Sequence, residues 1–336
     1  MQKRTWLKLA SVVGSMYLVR SALRNRRTID LAGKVVVIMG GSRGLGLVLA
    51  RTLVGHGARV AICARDDGEL ARAREELERL GGDVFSAPCD VTDRDDVLRF
   101  ITSVEEDLGP IDVLVNNAGV IQVGPLELMT TDDFERALSI NLRGPLHAML
   151  AVLPAMRRRK AGRIVNITSI GGQLAMPHLA PYSTSKFALV GLSEAMRVEL
   201  VKDGIYVTTV CPGLMRTGSP RRALFKGRHD AEYAWFATAD SLPVTSISAE
   251  NAAAQIVRAF VRGDAEVTIS PQAKLARLVH GVAPGLVQEV LGVVARFLPG
   301  PSSSRATVEG KDVEAVAAPS VLTRQSDEAA RRNNQM

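Results

Sequence analysis

A chain of 336 residues with 46% hydrophobic and 23% charged residues has ample apolar material for a core, which excludes a globally disordered protein. Its formal net charge of +7 belongs to the N-terminus: residues 1–27 hold Lys3, Arg4, Lys8, Arg20, Arg24, Arg26 and Arg27 and no acid, so the remainder sums to zero. A charge-balanced domain without a recognisable reading motif excludes nucleic-acid binding, and the basic arm points to a membrane surface.

Residues 1–29 form that arm. Its apolar run, Leu9 to Val19 behind Trp6 and Leu7, is shorter than the ~20 residues of a spanning helix. A second basic cluster and the lack of a small-residue cleavage site argue against a secretory signal. The reading is a membrane-associated helix, with packing on the protein itself as the alternative.

Residues 30–270 alternate strands with helices. Lys34–Met39 is a β-branched apolar run suited to a strand buried on both faces, followed by a glycine-rich turn and a helix through about Val54. Arg59–Ala64, Asp83–Pro88, Asp112–Asn116, Gly162–Thr168, Ile205–Cys211 and Ala265–Ile269 are the later strands, with helical stretches between them. Consecutive βαβ units predict an α/β fold, a doubly wound, Rossmann-like parallel sheet in a single domain with N- and C-terminal helical extensions. Leu275, Leu278, Val279 and Val282, then Leu286, Val290, Val293, Val294 and Phe297, predict two amphipathic helices over 271–299. They could close the pocket, form a homo-oligomer contact or touch a membrane. Residues 300–336 read as a flexible tail.

Gly40-Gly41-Ser42-Arg43-Gly44-Leu45-Gly46 follows the first strand and opens the first helix. Glycines there let a pyrophosphate approach the backbone, and the helix start offers unpaired N–H groups. The second strand ends in Ala64 and Arg65, where a carboxylate for a ribose 2′-hydroxyl would be expected. Arg65 with Arg43 suits a 2′-phosphate, so NADP(H) is favoured over NAD(H), although Asp66 and Asp67 argue the other way. Cys63, Cys89 and Cys211, without CxxC spacing, read as buried packing residues of a reducing compartment, and five scattered histidines give no metal site.

The glycine loop, Asn116-Asn117-Ala118-Gly119, Asn141, Ser169, Tyr182-Ser183-Thr184-Ser185-Lys186 and Pro212-Gly213, in this order, resemble the short-chain dehydrogenase/reductase family. Four residues apart on a helix, Tyr182 and Lys186 share a face, and the ammonium, with the positive nicotinamide of the oxidised cofactor, is expected to lower the phenol's pKa so that Tyr182 serves as general acid/base. The resemblance implies that Ser169 hydrogen-bonds the substrate oxygen, that Lys186 also holds the nicotinamide ribose, and that Asn141 holds a relay water. It further implies cofactor contacts from Gly40, Ser42, Gly44, Leu45, Gly46, Asp90, Val91, Asn117, Ala118, Gly119, Pro212, Gly213 and Thr217. Met39 stands where the family usually has Thr, which removes a hydroxyl from the turn.

The segment 214–249 lies where the family carries its substrate lid. Arg216, Arg221, Arg222, Lys226 and Arg228 precede its first acid, Asp230, and Tyr233, Trp235 and Phe236 follow. An apolar cleft with cations near a phosphate or carboxylate is one reading, a solvated lid the other. With the arm, these features predict a cytoplasmic, membrane-peripheral reductase of a lipid-like carbonyl compound. The alternatives are a 3-oxoacyl-[acyl-carrier-protein] reductase and a catalytically silent NADPH-binding sensor.

Overall fold

Seven parallel strands form the centre of the molecule: β1 Val35–Met39, β2 Arg59–Ala64, β3 Val84–Pro88, β4 Val113–Asn116, β5 Gly162–Ile167, β6 Ile205–Pro212 and β7 Glu266–Ile269. The spatial order is β3-β2-β1-β4-β5-β6-β7, with Val36 opposite both Val60 and Val113. A computed structural model describes residues 15, 19, 21–241, 246–314 and 324–335. All seven strands are those the sequence predicts. Their β-branched runs are legible because both sheet faces are covered: Val36 and Ile38 enter one core while Val35, Val37 and Met39 enter the other.

One face is packed by α1 Gly44–Gly55, α2 Asp67–Arg79 and α8 Ala249–Val261, the other by α3 Arg94–Asp107, α5 Gly144–Arg159 and α6 Ala180–Leu200, with α4 Thr131–Leu138 leading into α5. The chain runs outward from β1 through β2 and β3, then returns to pair β4 on the other side of β1. That reversal opens a crevice at the carboxyl ends of β1 and β4, the place where sheets of this kind bind ligands.

Over the crevice, the described residues of 214–249 fold as short strands around α7 His229–Ser241. Phe225 meets Tyr233 and Phe236 edge-on, with ring centroids 5.5 and 6.1 Å apart, and Val123, Leu179 and Val313 complete a third apolar cluster. The lid is therefore fastened by its aromatics.

Most of the N-terminal apolar run lies outside the described residues. Residues 21–27 are helical and dock beside the start of β7, with Arg24 paired to Asp264 at 2.6 Å and Ile29 N–H donating to Val261 O at 3.1 Å. Beyond the edge strand, α9 Pro271–Val282 and α10 Pro284–Ala295 bury only Ala273 between them. The flexible tail expected from residue 300 is corrected where it is described. Val308–Glu309 pairs antiparallel with Leu224–Phe225, Gly310–Glu314 is helical, and α11 Arg324–Arg332 buries Ala329 and Ala330. Small residues fitted closely to a neighbour supply that packing, so no apolar periodicity announces it.

Candidate active site

Helix α6 begins with Pro181 in its first turn, where an N–H has no intrahelical partner anyway, and this sets Tyr182 and Lys186 one turn apart. Ser169 follows β5 and accepts the Gly171 N–H at 3.0 Å. A Cβ on Gly171 would stand 3.3 Å from Tyr182 Cε1 and 3.4 Å from Ser169 Oγ. The two hydroxyl-bearing side chains thus border one point, kept free by glycine.

Lys186 is buried and donates to the Ile167 carbonyl at 2.9 Å, with its nitrogen 5.8 Å from the Tyr182 ring centroid. Burial pulls its pKa down to about 8, against a smaller upward pull from Cys211. Burial also pushes the Tyr182 phenol up from its ordinary value, and the Ser169 hydroxyl pulls it partly back. The lowering expected from the Lys186 ammonium together with a positive nicotinamide belongs to the cofactor-bound enzyme; in the protein alone, burial dominates. Desolvation penalises the charged form of each group, and the ammonium's hydrogen bond goes to a carbonyl.

Asn141 sits fully buried in a π-helical turn, Ser139–Arg143, a distortion that often marks functional sites. Its Oδ1 accepts Val120 N–H at 2.9 Å, while Nδ2 donates to Val120 O at 3.0 Å and to Ser185 Oγ at 2.9 Å. Ser185 in turn donates to Tyr182 O at 2.8 Å, tying Asn141 to α6. A Cβ on Gly119 would lie 3.0 Å from Asn141 Oδ1 and 3.5 Å from Lys186 Nζ. Glycine leaves a small space there, facing both polar groups.

At the end of β1, Gly40 has φ +82° and a Cβ on it would come within 2.8 Å of Ala118 Cα, while one on Gly46 would strike Gly40 O at 2.0 Å. Asn117 Nδ2 donates to Gly40 O at 2.7 Å, Met39 O accepts from Asn117 and Ala118 at 3.1 and 2.7 Å, and the Gly40 and Gly41 N–H groups reach Cys63 O at 3.1 and 3.0 Å. These bonds hold the turn without a hydroxyl at Met39. Leu45 is buried beneath the loop. Asp90 Oδ1 accepts from both N and Oγ1 of Thr92, at 2.9 and 2.8 Å, beside buried Val91. Across the crevice, Pro212 ends β6, Gly213 N–H donates to Ile269 O at 3.1 Å, and Thr217 is buried.

The two arginines expected to converge on a 2′-phosphate are not brought together. Arg43 is paired with buried Glu69, at 2.8 and 2.9 Å from its two oxygens, whereas Arg65 is exposed and forms no ion pair among the described residues. Arg222 reaches Glu69 Oε1 at 2.6 Å, so one carboxylate fastens the glycine loop to the lid. Sequence reasoning missed Glu69. Its signal was the Asp66-x-x-Glu69 spacing of a helix start, and Asp66 does cap α2 through the Glu69 N–H at 2.8 Å.

Other lid cations are also engaged internally: Lys226 with Asp133 at 2.5 Å, both buried, and Arg216 with Ser246 at 2.9 Å. They do not stand free for a substrate anion. Tyr182 itself packs against the lid cluster beside Ile121, Met176 and Trp235. One side of the Tyr182 ring is thus set in apolar surroundings.

A nicotinamide dinucleotide suits the donor set. The first turn of α1 already holds an oxygen acceptor, since Gly44 N–H donates to Asn333 O at 2.8 Å, and a phosphate oxygen would make the same demand on it.

Comparison with known proteins agrees with this geometry. The short chain dehydrogenase family model matches residues 34–224. The chain is 34% identical over 269 residues to a dehydrogenase/reductase SDR family protein 7-like of Anopheles gambiae, covering 78% of this chain and 83% of that one. It is 33% identical over 282 residues to the 3-ketodihydrosphingosine reductase of Bos taurus, covering 82% and 83%. Among solved structures, an actinorhodin polyketide ketoreductase with NADPH superposes with a TM-score of 0.65 at 30% identity, covering 73% of this chain and 98% of that one.

Proposed function

Because the chain belongs to the short-chain dehydrogenase/reductase family and is a nicotinamide-dependent oxidoreductase of CH–OH and C=O groups, we propose that it reduces a ketone on a long, apolar, lipid-like chain with NADPH. The observation that carries this reading is the packing of Tyr182 against the apolar lid cluster, while the lid's Arg222 and Lys226 are already paired. The similarity to a 3-ketodihydrosphingosine reductase supports the same substrate class.

Tyr182, held protonated by burial, donates its proton to the carbonyl oxygen. Ser169 hydrogen-bonds that oxygen from the far side of the space kept by Gly171, so the developing negative charge meets two donors. Lys186 holds the ribose hydroxyls, and once charges gather around it its ammonium makes the phenolate left behind less unfavourable. Asn141 Oδ1 and Lys186 Nζ face the space over Gly119, where one water would connect Lys186 to solvent and return the proton. When bound, the nicotinamide supplies hydride. Ser42, Arg43, Gly44, Leu45 and Gly46 would hold the pyrophosphate side, Asp90 and Val91 the adenine, Asn117, Ala118 and Gly119 the adenosine wall, and Pro212, Gly213 and Thr217 the nicotinamide side. For the 2′-phosphate, Arg65 is available and Arg43 would exchange Glu69 for it. The NADPH reading rests on these two cations and requires that exchange.

We place the enzyme at a cytoplasm-facing membrane surface through residues 1–27 and the α9–α10 pair. No helix among the described residues is long and apolar enough to cross a membrane, but Leu278, Val282, Leu286 and Phe297 are exposed. A second reading, reduction of a 3-oxoacyl thioester, is favoured by the similarity to polyketide ketoreductases.

The test is oxidation of NADPH and of NADH with long-chain 3-ketones, sterol ketones, retinal and ketoacyl thioesters. Wild type should turn over a long-chain ketone faster with NADPH, and Tyr182→Phe should lose at least about 100-fold in kcat. Preferential turnover of short thioesters would replace the lipid reading with the second one. A Tyr182→Phe variant of undiminished rate would remove Tyr182 from the chemistry.

A further inference from the structure

The segment that closes the described chain lies in the nucleotide crevice. Helix α11 ends with Asn334 in the left-handed region, φ +55°, a conformation asparagine tolerates and which commonly terminates helices. Asn333 N–H returns to Ala329 O at 3.0 Å and Gln335 N–H to Ala330 O at 2.9 Å, so the helix closes on itself while the Asn333 carbonyl turns outward. That carbonyl accepts the Gly44 N–H at 2.8 Å. The negative end of α11 therefore abuts the positive end of α1, where the pyrophosphate is expected.

The side chains extend the same occupation. Asn334 Nδ2 donates to Ser42 O and Glu69 O, each at 2.9 Å, and Gln335 Nε2 donates to Thr217 O at 3.3 Å. These contacts join the glycine loop to the opposite wall of the crevice. Asn333 is fully buried and Gln335 is 6% exposed. Arg51 fixes the approach by donating to Asn333 Oδ1 at 2.9 Å and Arg332 O at 2.6 Å. Ala330 lies against Gly218, where even a Cβ on the glycine would come within 2.6 Å of Ala330 Cα.

We infer that residues 324–335 are an intramolecular ligand of the nucleotide crevice, a peptide end that competes with the dinucleotide for the first turn of α1. The inference rests on the proposed cofactor site and adds an occupant to it. The segment uses neutral carbonyls and carboxamides where a dinucleotide brings phosphate charge, so the helix end and the nearby arginines favour exchange for the cofactor. Its docking is also incomplete. Asn333 Nδ2 and Gln335 Oε1 are buried and have no hydrogen-bond partner among the described residues, which weakens the closed state relative to a fully satisfied one.

The experiment is calorimetric titration of NADPH and NADH into the full chain, a chain ending after residue 323, and full-length Ala330→Arg, whose side chain cannot fit against Gly218. Release of the segment should tighten both dinucleotides at least tenfold, because its contacts are to the glycine loop that both would use. A synthetic peptide of residues 324–336 added to the shortened chain should restore the weaker affinity competitively. Affinities equal within twofold, or weaker binding after shortening, would overturn the inference, the latter making the segment part of the cofactor's own site. The NADPH-to-NADH ratio in the shortened chain reads the cofactor preference independently. A shortened chain that binds neither dinucleotide would overturn both the inference and the cofactor reading.

Discussion

Lys186 carries two opposed consequences of one burial. Its pKa is drawn down to about 8 from 10.5, so between those values the unfolded chain holds a proton that the folded chain has released. Lys186's own contribution to stability should therefore rise with pH through that window, unopposed until about pH 9, where the raised thiols of Cys89 and Cys211 begin to act against it. In the proposed reaction the same deprotonation would remove the ammonium that is to hold the ribose and favour the phenolate. Ketone reduction, followed as kcat/KM, should accordingly fall above about pH 8, and between pH 8 and about 9 the protein should at the same time become harder to unfold. Lys186→Arg should carry the activity limb beyond pH 10, since guanidinium stays charged. A flat wild-type profile to pH 9.5 would assign the ammonium no part in the reaction. Neighbouring Cys211 works against this gain from about pH 9, because its buried thiol is pushed up to about 12 and stays protonated where the unfolded chain's thiol ionises.

Between the lid and the body, the strongest polar tie is Lys226 to Asp133. Asp133 also accepts Thr130 N–H at 2.8 Å and Gln122 Nε2 at 2.8 Å. Burial raises its pKa, yet Lys226 and these donors outweigh burial and leave the carboxyl below its usual range. Its contribution is present at neutral pH and fades as pH falls through that lowered value. Lys226→Met would leave a buried carboxylate without its cation and should cost about 3–5 kcal/mol in urea unfolding. Adding Asp133→Asn should recover much of the loss; an unchanged midpoint in Lys226→Met would show the pair to be idle.

This tie was not legible beforehand, because Asp133 and Lys226 lie on remote segments and nothing in either neighbourhood names the other. The strands were legible, since a run such as Val35–Met39 must be buried on both faces. The Ser169, Tyr182 and Lys186 set was legible through spacing that one helix and one strand end preserve. The contrary case is α11, whose docking depends on Ala330 matching the bare backbone of Gly218 and on carbonyl direction, properties that composition does not encode.

At the scale of the molecule, the basic arm and the apolar pair meet at one corner. Arg24 binds Asp264 just before β7, and Arg277 of α9 binds Glu266 within it. A flat lipid surface could touch both. Phosphatidylserine vesicles should sediment the protein, with weaker binding to phosphatidylcholine alone and at high salt. Deleting residues 1–27 or introducing Val282→Asp with Phe297→Asp should each weaken recovery several-fold, and the combination should abolish it. Wild-type protein that stays in the supernatant with anionic vesicles would dismiss the membrane assignment.

The antiparallel pairing of Val308 with Phe225 and of Glu309 with Leu224 changes what displacement of the chain's end can mean. Nine residues separate position 314 from position 324, so an end driven out by cofactor remains leashed to the lid. Tethering within one chain gives local concentrations of about the millimolar range. Its return is then first-order: diluting the protein would leave the balance between peptide and cofactor unchanged, and only the supply of nicotinamide dinucleotide, or cutting the leash, would move it.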